Sequence, residues 1–291
     1  MKVPQIVGPW WTVAHDPDLG ELTNPKQQPV DFCVWQAGDG TWQLWSCIRN
    51  TLCGGNTRLL YGWEGKSITD PDWTPKGIAM QADPAYGETP GGLQAPYVTR
   101  HNDRYLMFYG DWINICLAES SDGKVFNRRI NSGTAAMFTE GEGKNNRDPM
   151  AIIVDGTWYC YYTVNPQGIK DPNGTCAVFC RISGDLISWS ESRMVAFGGS
   201  AGMNLWSAEC PFVVKHETGY YLFRTQRYGE NAQTSVYYST DPLDFGINDD
   251  SHLICTLPIA APEIVHFKDE YYVACLLSSL KGIQIARLAW I

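Results

Sequence analysis

The sequence predicts an all-β fold, a five-bladed β-propeller whose four-stranded antiparallel blades surround a central channel. Three observations predict it. Five segments repeat one pattern of apolar strand, polar turn and aromatic-rich second strand; their spacing leaves room for four strands per copy; and no long stretch carries the 3.6-residue apolar period of a helix.

The copies read VDFCVWQAGDGTWQLW from Val30, LQAPYVTRHNDRYLMFY from Leu93, RDPMAIIVDGTWYCYY from Arg147, AECPFVVKHETGYYLFR from Ala208 and APEIVHFKDEYYVAC from Ala261. Their turns, such as Asn102-Asp103, Asp155-Gly156 and Lys268-Asp269, hold residues that hairpins require, so each copy is a β-hairpin. The first aromatic after each turn (Trp42, Tyr105, Trp158, Tyr220, Tyr271) recurs at steps of 63, 53, 62 and 51 residues, enough for four strands. A second echo, a Ser- or Asp-bearing turn before an aromatic, follows the first four hairpins: Asp70 before Trp73, Asp122 before Phe126, Asp185 before Trp189, Asp241 before Phe245. It marks a third strand turning into a fourth. The fifth copy has room for only one more strand, Gly282 to Trp290, so its outer strand is expected from the N-terminal segment around Trp10 to Ala14. Residues 1–291 are thus expected to form a single domain.

Composition narrows the function classes. Hydrophobic residues are 44% of the chain and charged residues 18%, enough apolar material for a large core. The net charge of −9, with scattered Lys and Arg, excludes the basic footprint of a nucleic-acid binder. No segment reaches the roughly 18 apolar residues of a membrane span, and the N-terminus lacks a signal-peptide pattern, so a soluble chain is expected. The ten Cys form no C-x-x-C pair and have no His at zinc-site spacing; Cys33, Cys47, Cys160 and Cys275 lie in apolar strands and read as buried free thiols. Twelve Trp and fifteen Tyr suit either strand packing or stacking on sugar faces.

In a propeller the residue opening each inner strand lies at one mouth of the channel. Counting back eleven from the marker aromatics lands on Asp31, Gln94, Arg147, Glu209 and Ala260, with Asp148 one place on from Arg147. Carboxylates from blades one, three and four therefore point into one funnel. Like charges gathered in one place cost energy, and glycosidic cleavage is chemistry that uses them: one carboxyl kept protonated for the leaving oxygen, another kept ionised to attack or to activate water, and a third to tune them.

Arg147-Asp148-Pro149 and Glu209-Cys210-Pro211 resemble the RDP and EC motifs of glycoside hydrolase family 32, and Ser183-Gly184-Asp185-Leu186-Ile187-Ser188-Trp189 resembles a blade signature shared with family 43. A lone propeller of this length is more similar to family 43. The resemblance implies a glycoside hydrolase in which Asp31 is nucleophile or base, Asp148 stabilises the transition state and modulates pKa, and Glu209 is the general acid. His15-Asp16-Pro17-Asp18 offers Asp16 as a rival to Asp31, but Asp16 lies 26 residues before Trp42, out of step with the other blades.

Around this centre, Arg147, Gln94 and Glu263 are candidates for hydrogen bonds to substrate, and Trp112 and Trp206 for a stacking platform. Arg49, Arg224 and Arg227 follow second strands and read as surface residues. His266, on the fifth inner strand, is a candidate for the channel calcium of some family 43 propellers; no cofactor is otherwise required. The segments 139–146 and 198–205 read as the pocket rim. The expected partner is an oligo- or polysaccharide built from a furanose or pentose such as arabinofuranose, fructofuranose or xylose, the sugar being implied by the resemblance alone. A glycan-binding propeller would repeat its binding residues in every blade, and these differ. A glycoside phosphorylase would need a cationic phosphate pocket, and Arg147 is the one cation the pattern places by the acids.

Overall fold

The computed structural model describes residues 1–168, 171 and 173–291. The first strand, β1 (Pro4–His15), belongs to the last blade. Blade one is β2 (Gln28–Gln36), β3 (Trp42–Arg49), β4 (Leu59–Gly65) and β5 (Thr74–Met80). Blade two is β6 (Gln94–His101), β7 (Arg104–Gly110) and β8 (Asn114–Ser120), with its outer strand in two pieces, β9 (Asn127–Arg128) and β10 (Ala136–Thr139). Blade three is β11 (Asn145–Val154), β12 (Thr157–Asn165), β13 (Ala177–Ser183) and β14 (Arg193–Ala196), and blade four is β15 (Glu209–His216), β16 (Gly219–Arg227), β17 (Gln233–Ser239) and β18 (Leu253–Leu257). Blade five orders as β1-β21-β20-β19, from β19 (Glu263–Phe267), β20 (Glu270–Leu276) and β21 (Gly282–Trp290).

Every pairing within the sheets is antiparallel, and β1 closes the ring by pairing along β21 from Pro4–Trp290 to His15–Gly282, as the short fifth copy predicts. The echo turns have a shared cause. The hydroxyls of Ser120, Ser183 and Ser239 each accept the amide of the Asp two residues on, and Asp122 and Asp185 each accept two further amides, so each side chain supplies the turn with local partners. Among the described residues no helix is long and apolar enough to cross a membrane.

The core lies between the blades. One cluster joins blades one, two and five, another blades three, four and five, and a third blades two and three. Most Trp residues serve this packing; the edge-to-face set of Trp35, Trp45 and Phe126, with centroids 5.3–5.9 Å apart, bridges blades one and two. All ten cysteines are free, seven of them buried.

Strand direction corrects one expectation. The inner strands leave the mouth and the second strands return to it, because Gln28 pairs with Arg49 and Glu209 with Thr225. Arg49 and Arg224 therefore end near the funnel, and Arg224 is a buried residue at 1% exposure. Arg227 is exposed, held by Gln233.

Candidate active site

Each inner strand opens on an irregularity. Asp31, Ala95, Asp148, Cys210 and Ala261 have φ of +37°, +37°, +55°, +46° and +51°, and the strand register shifts at that point in the first four blades. These are β-bulges, which bend the strand and re-aim the side chain; holding a non-glycine residue there costs roughly 1–2 kcal/mol. The bulges correct the count from the marker aromatics. The equivalent residues are Asp31, Ala95, Asp148, Cys210 and Ala261, while Glu209 stands one place earlier, level with Val30, Gln94, Arg147 and Ala260.

Three bulge side chains meet. Ligand atoms of Asp31, Asp148 and Cys210 lie within 4.8 Å of one another. Asp148 Oδ2 accepts the Cys210 amide at 2.9 Å, and the Cys210 thiol donates to Asp31 Oδ1 at 3.3 Å. Asp148 Oδ1 is buried without a partner. Burial, then the charge of Asp31, pushes the Asp148 carboxyl up to about 7, against the pull of Arg147 and the Cys210 amide.

Glu209 approaches the same charges from blade four. It is 9% exposed, and its Oε1 accepts from Arg147 Nε at 3.0 Å and lies 2.9 Å from Nη2 of the same guanidinium. Burial raises its carboxyl above the ordinary range and the negative charge of Asp31 adds to this, while Arg147 and a hydrogen bond from Tyr228 oppose it. Arg147 is wholly enclosed: Nη1 reaches the side-chain oxygens of Asn145 and Asn165, and Nη2 the Leu205 carbonyl and the Cys176 sulfur. Its Nε also stands 3.7 Å from Asp148 Oδ2, so one guanidinium holds two of the three acids.

Gln94 is buried, donated to by Asn145 through its Oε1 at 3.3 Å, with Nε2 unpartnered. Trp112, at φ +87°, is bridged to Asn146 and stacks under Arg58 at 4.9 Å. Trp206 is 45% exposed on the loop that leads into Glu209. Glu263 lines the channel with Asp31, Asp148 and Cys210 but sits deeper, beside the Cys33 thiol, and burial holds its carboxyl well above the usual range. Asp16 is engaged elsewhere, accepting from Lys281 Nζ at 2.7 Å and Gln27 Nε2 at 3.0 Å.

His266 does not fit the calcium expectation. It lies at the far end of β19 from the mouth, exposed and stacked on Tyr271 at 4.3 Å, and among the described residues it belongs to no cluster of metal-ligating side chains. The residue expected to hold calcium is instead a surface aromatic contact.

Sequence reading missed four participants. Asn145 and Asn165 orient Arg147 and sit in otherwise ordinary strand sequence. Tyr228 follows β16 and reaches the Cys210 sulfur at 3.6 Å. Arg224 donates Nε to the Ser207 carbonyl at 2.7 Å, Nη1 to Gly198 at 3.2 Å and Nη2 to Gly202 at 2.8 Å, pinning the loop before Glu209. Gly198 and Gly202, at φ +65° and +86°, supply the backbone that lets those carbonyls turn inward.

Two buried acids with raised pKa beside a third carboxylate, at the mouth of a propeller, define a glycoside hydrolase, an enzyme whose substrate is a carbohydrate. The chain belongs to glycosyl hydrolases family 43: the family model matches residues 66–254, more than half of it. That match includes Asp148 and Glu209 and begins after Asp31. Among solved structures the chain is similar to a thermostable family-43 glycoside hydrolase (TM-score 0.62, 19% identity, 92% of both chains covered). It is also similar to an α-L-arabinofuranosidase from Clostridium thermocellum (0.61, 13%, 88% of both) and to the GH43_1 enzyme from Xanthomonas citri complexed with xylotriose (0.63, 15%, 96% of this chain and 91% of that one). At these identities the likeness is one of fold. No curated protein matches the chain.

Proposed function

We propose that residues 1–291 act as one catalytic domain that hydrolyses the glycosidic bond of a pentose, arabinofuranosyl or xylosyl, with Glu209 as general acid, Asp148 as modulator, and Asp31 attacking the anomeric carbon or activating the water that does. The observation that carries this reading is the convergence of acids from three blades: Asp31 and Asp148 meet at Cys210, and Arg147 joins Asp148 to Glu209, so the charge of Asp31 raises both other carboxyls. The negative charge of Asp31 favours the proton on Glu209 until the leaving oxygen needs it. Arg147 holds Oε1 of Glu209 and leaves the other oxygen to carry the proton. The unpartnered Asp148 Oδ1 is available to a sugar hydroxyl, and its contact gains strength as positive charge develops on the ring. The pentose assignment is supported by the family and by the arabinofuranosidase and xylotriose-bound neighbours.

The test is sugar release from arabinans, xylans and synthetic pentosides by the native chain and by Glu209→Gln. Release by the native chain, with turnover at least about 100-fold lower in a folded Glu209→Gln, is the expected result. Glu209 must be protonated to act, so native activity falls as pH rises through its raised pKa, and this alkaline limb is absent from whatever activity Glu209→Gln retains. No release from any pentose glycan would sink the reading.

A further inference from the structure

Blade one carries two cations that the acid centre does not explain. Continuing the β3–β4 register one residue past its last pair, Ile48 with Leu59, brings Arg49 opposite Arg58. Like charges directly opposite on a β-ladder are destabilising. Among the described residues neither guanidinium has a carboxylate within salt-bridge distance. Among the described residues the Arg49 side chain donates only to the Gln28 amide oxygen, at 2.9 and 2.7 Å, and the Arg58 side chain, on the face of Trp112, has no hydrogen-bond acceptor.

Their place ties them to the funnel. Gln28, which pairs with Arg49 and accepts from it, stands three residues before Asp31 on β2, and Val30 pairs with Cys47 two residues before Arg49, so the two cations and the blade-one acid share one end of blade one. Trp112, beneath Arg58, passes its carbonyl to Asn145, which orients Arg147, which holds Glu209. The cation pair therefore stands on the rim between Asp31 and the wall that leads to Glu209. Both residues are half-buried.

We propose that Arg49 and Arg58, with Trp112 as the floor beneath Arg58, form a subsite for the carboxylate of an acidic sugar, a uronosyl branch on a largely neutral pentose chain. Among the described residues Arg49 keeps Nη1 free, its Nε and Nη2 being taken by Gln28, and Arg58 is held on the indole with its N–H edge unbonded, so the two cations can each donate to one oxygen of a carboxylate. The net charge of −9 makes a densely charged polyanion a poor ligand, whereas one carboxylate on a neutral chain meets only this local positive field. The proposal rests on the pentoside-hydrolase reading and names a specificity within it.

The experiment compares uronosyl-substituted xylo-oligosaccharides, their methyl esters and unsubstituted oligosaccharides, by kcat/KM and by calorimetric binding, in the native chain, Arg58→Gln and Arg49→Gln. A charge-assisted contact predicts about a tenfold or larger preference for the free acid, falling with added salt, erased by methyl esterification, and cut to near unity in either variant. Equal kcat/KM for acid and ester in the native chain overturns the subsite and leaves the hydrolase reading standing. If no oligosaccharide is cleaved, the hydrolase reading fails instead, and binding alone decides the subsite: tighter binding of the acid than of its ester supports it, equal binding overturns it. Inorganic phosphate is a separate arm. Phosphate-dependent release of a sugar phosphate, lost in Arg58→Gln, would assign the cations to phosphate and overturn the uronate assignment.

Discussion

Blades one, three and four present Asp31, Asp148 and Cys210 at their bulges, while blades two and five present Ala95 and Ala261 at the same left-handed positions. The backbone φ is alike in all five, and on the proposed reading the chemistry is confined to three. The left-handed turn is therefore what the propeller's inner strands require at the mouth, and backbone strain here does not by itself mark function. Function lies in which side chains the bulges carry, together with the charged groups one residue earlier, Arg147 and Glu209 against Gln94, Val30 and Ala260.

The comparison is tested most severely at Asp148, the most enclosed of the working bulges at 4% exposure. Asp148→Asn keeps an oxygen for the Cys210 amide and removes the titrating carboxyl, so the fold is retained and turnover drops by about 100-fold or more. Stability moves the other way. A carboxyl raised to about 7 when folded, from an ordinary value near 3.8, binds a proton in the folded state that the unfolded chain releases between those pH values. Folded-state stability of the native chain therefore falls as pH rises from about 4 to 7, by an amount on the order of 4 kcal/mol if this group acted alone. Asp148→Asn loses that slope and is the more stable protein above pH 7. Urea melts of both proteins across pH 4–8 check this, and parallel curves would mean that Asp148 is not buried as a neutral acid.

Much of this was legible in the sequence, for a definite reason. Hairpin period and turn chemistry are local, so five blades, the echo turns and the closing β1–β21 pair could be read without a structure. The equivalence of residues at the mouth could not be read to the last place. The Trp42 side of blade one faces its partner Gln36 across five residues (Ala37 to Thr41), against four in the other blades, and a count from the aromatic absorbs that extra residue invisibly. The count therefore aligned Asp31 with Arg147 and Glu209 rather than with Asp148 and Cys210. Arg224 and His266 were misread because strand direction and facing depend on long-range packing. One ends buried under a glycine loop and the other stacked on the outer surface, although each follows an apolar run, Tyr221-Leu222-Phe223 and Ile264-Val265.

Arg224 and Arg227, three residues apart, sharpen the lesson. Arg224→Met leaves the carbonyls of Gly198, Gly202 and Ser207 without donors, each a cost of about 1–3 kcal/mol before relaxation, and frees the loop that carries Trp206 into Glu209. Expected are a loss of roughly 3 kcal/mol in stability and a fall in kcat that exceeds any change in KM at a temperature where the variant is folded. Arg224→Lys, which can serve one carbonyl at a time, should fall between. Arg227→Met should stay within about 0.5 kcal/mol with unaltered turnover. If folded Arg224→Met retained native kcat, the guanidinium would be structural only.

The smallest effect is the most discriminating between the two halves of the mouth. Cys210→Ala gives blade four the residue that blades two and five already carry at this φ, so the backbone accommodates it without new strain. What is lost is the thiol that donates to Asp31 Oδ1 and touches the Tyr228 hydroxyl. A weak sulfur donor contributes about 0.5–1 kcal/mol, so turnover should fall by roughly two- to fivefold, with KM and the melting curve nearly unchanged. Ala95→Gly provides the scaffold comparison. Relief of the left-handed strain is offset by the greater freedom of the unfolded chain, leaving stability within about 1 kcal/mol and activity native. Unchanged turnover in Cys210→Ala would move Cys210 to the inert side with Ala95 and Ala261, and the working part of the ring would reduce to Asp31, Asp148 and the Arg147–Glu209 pair.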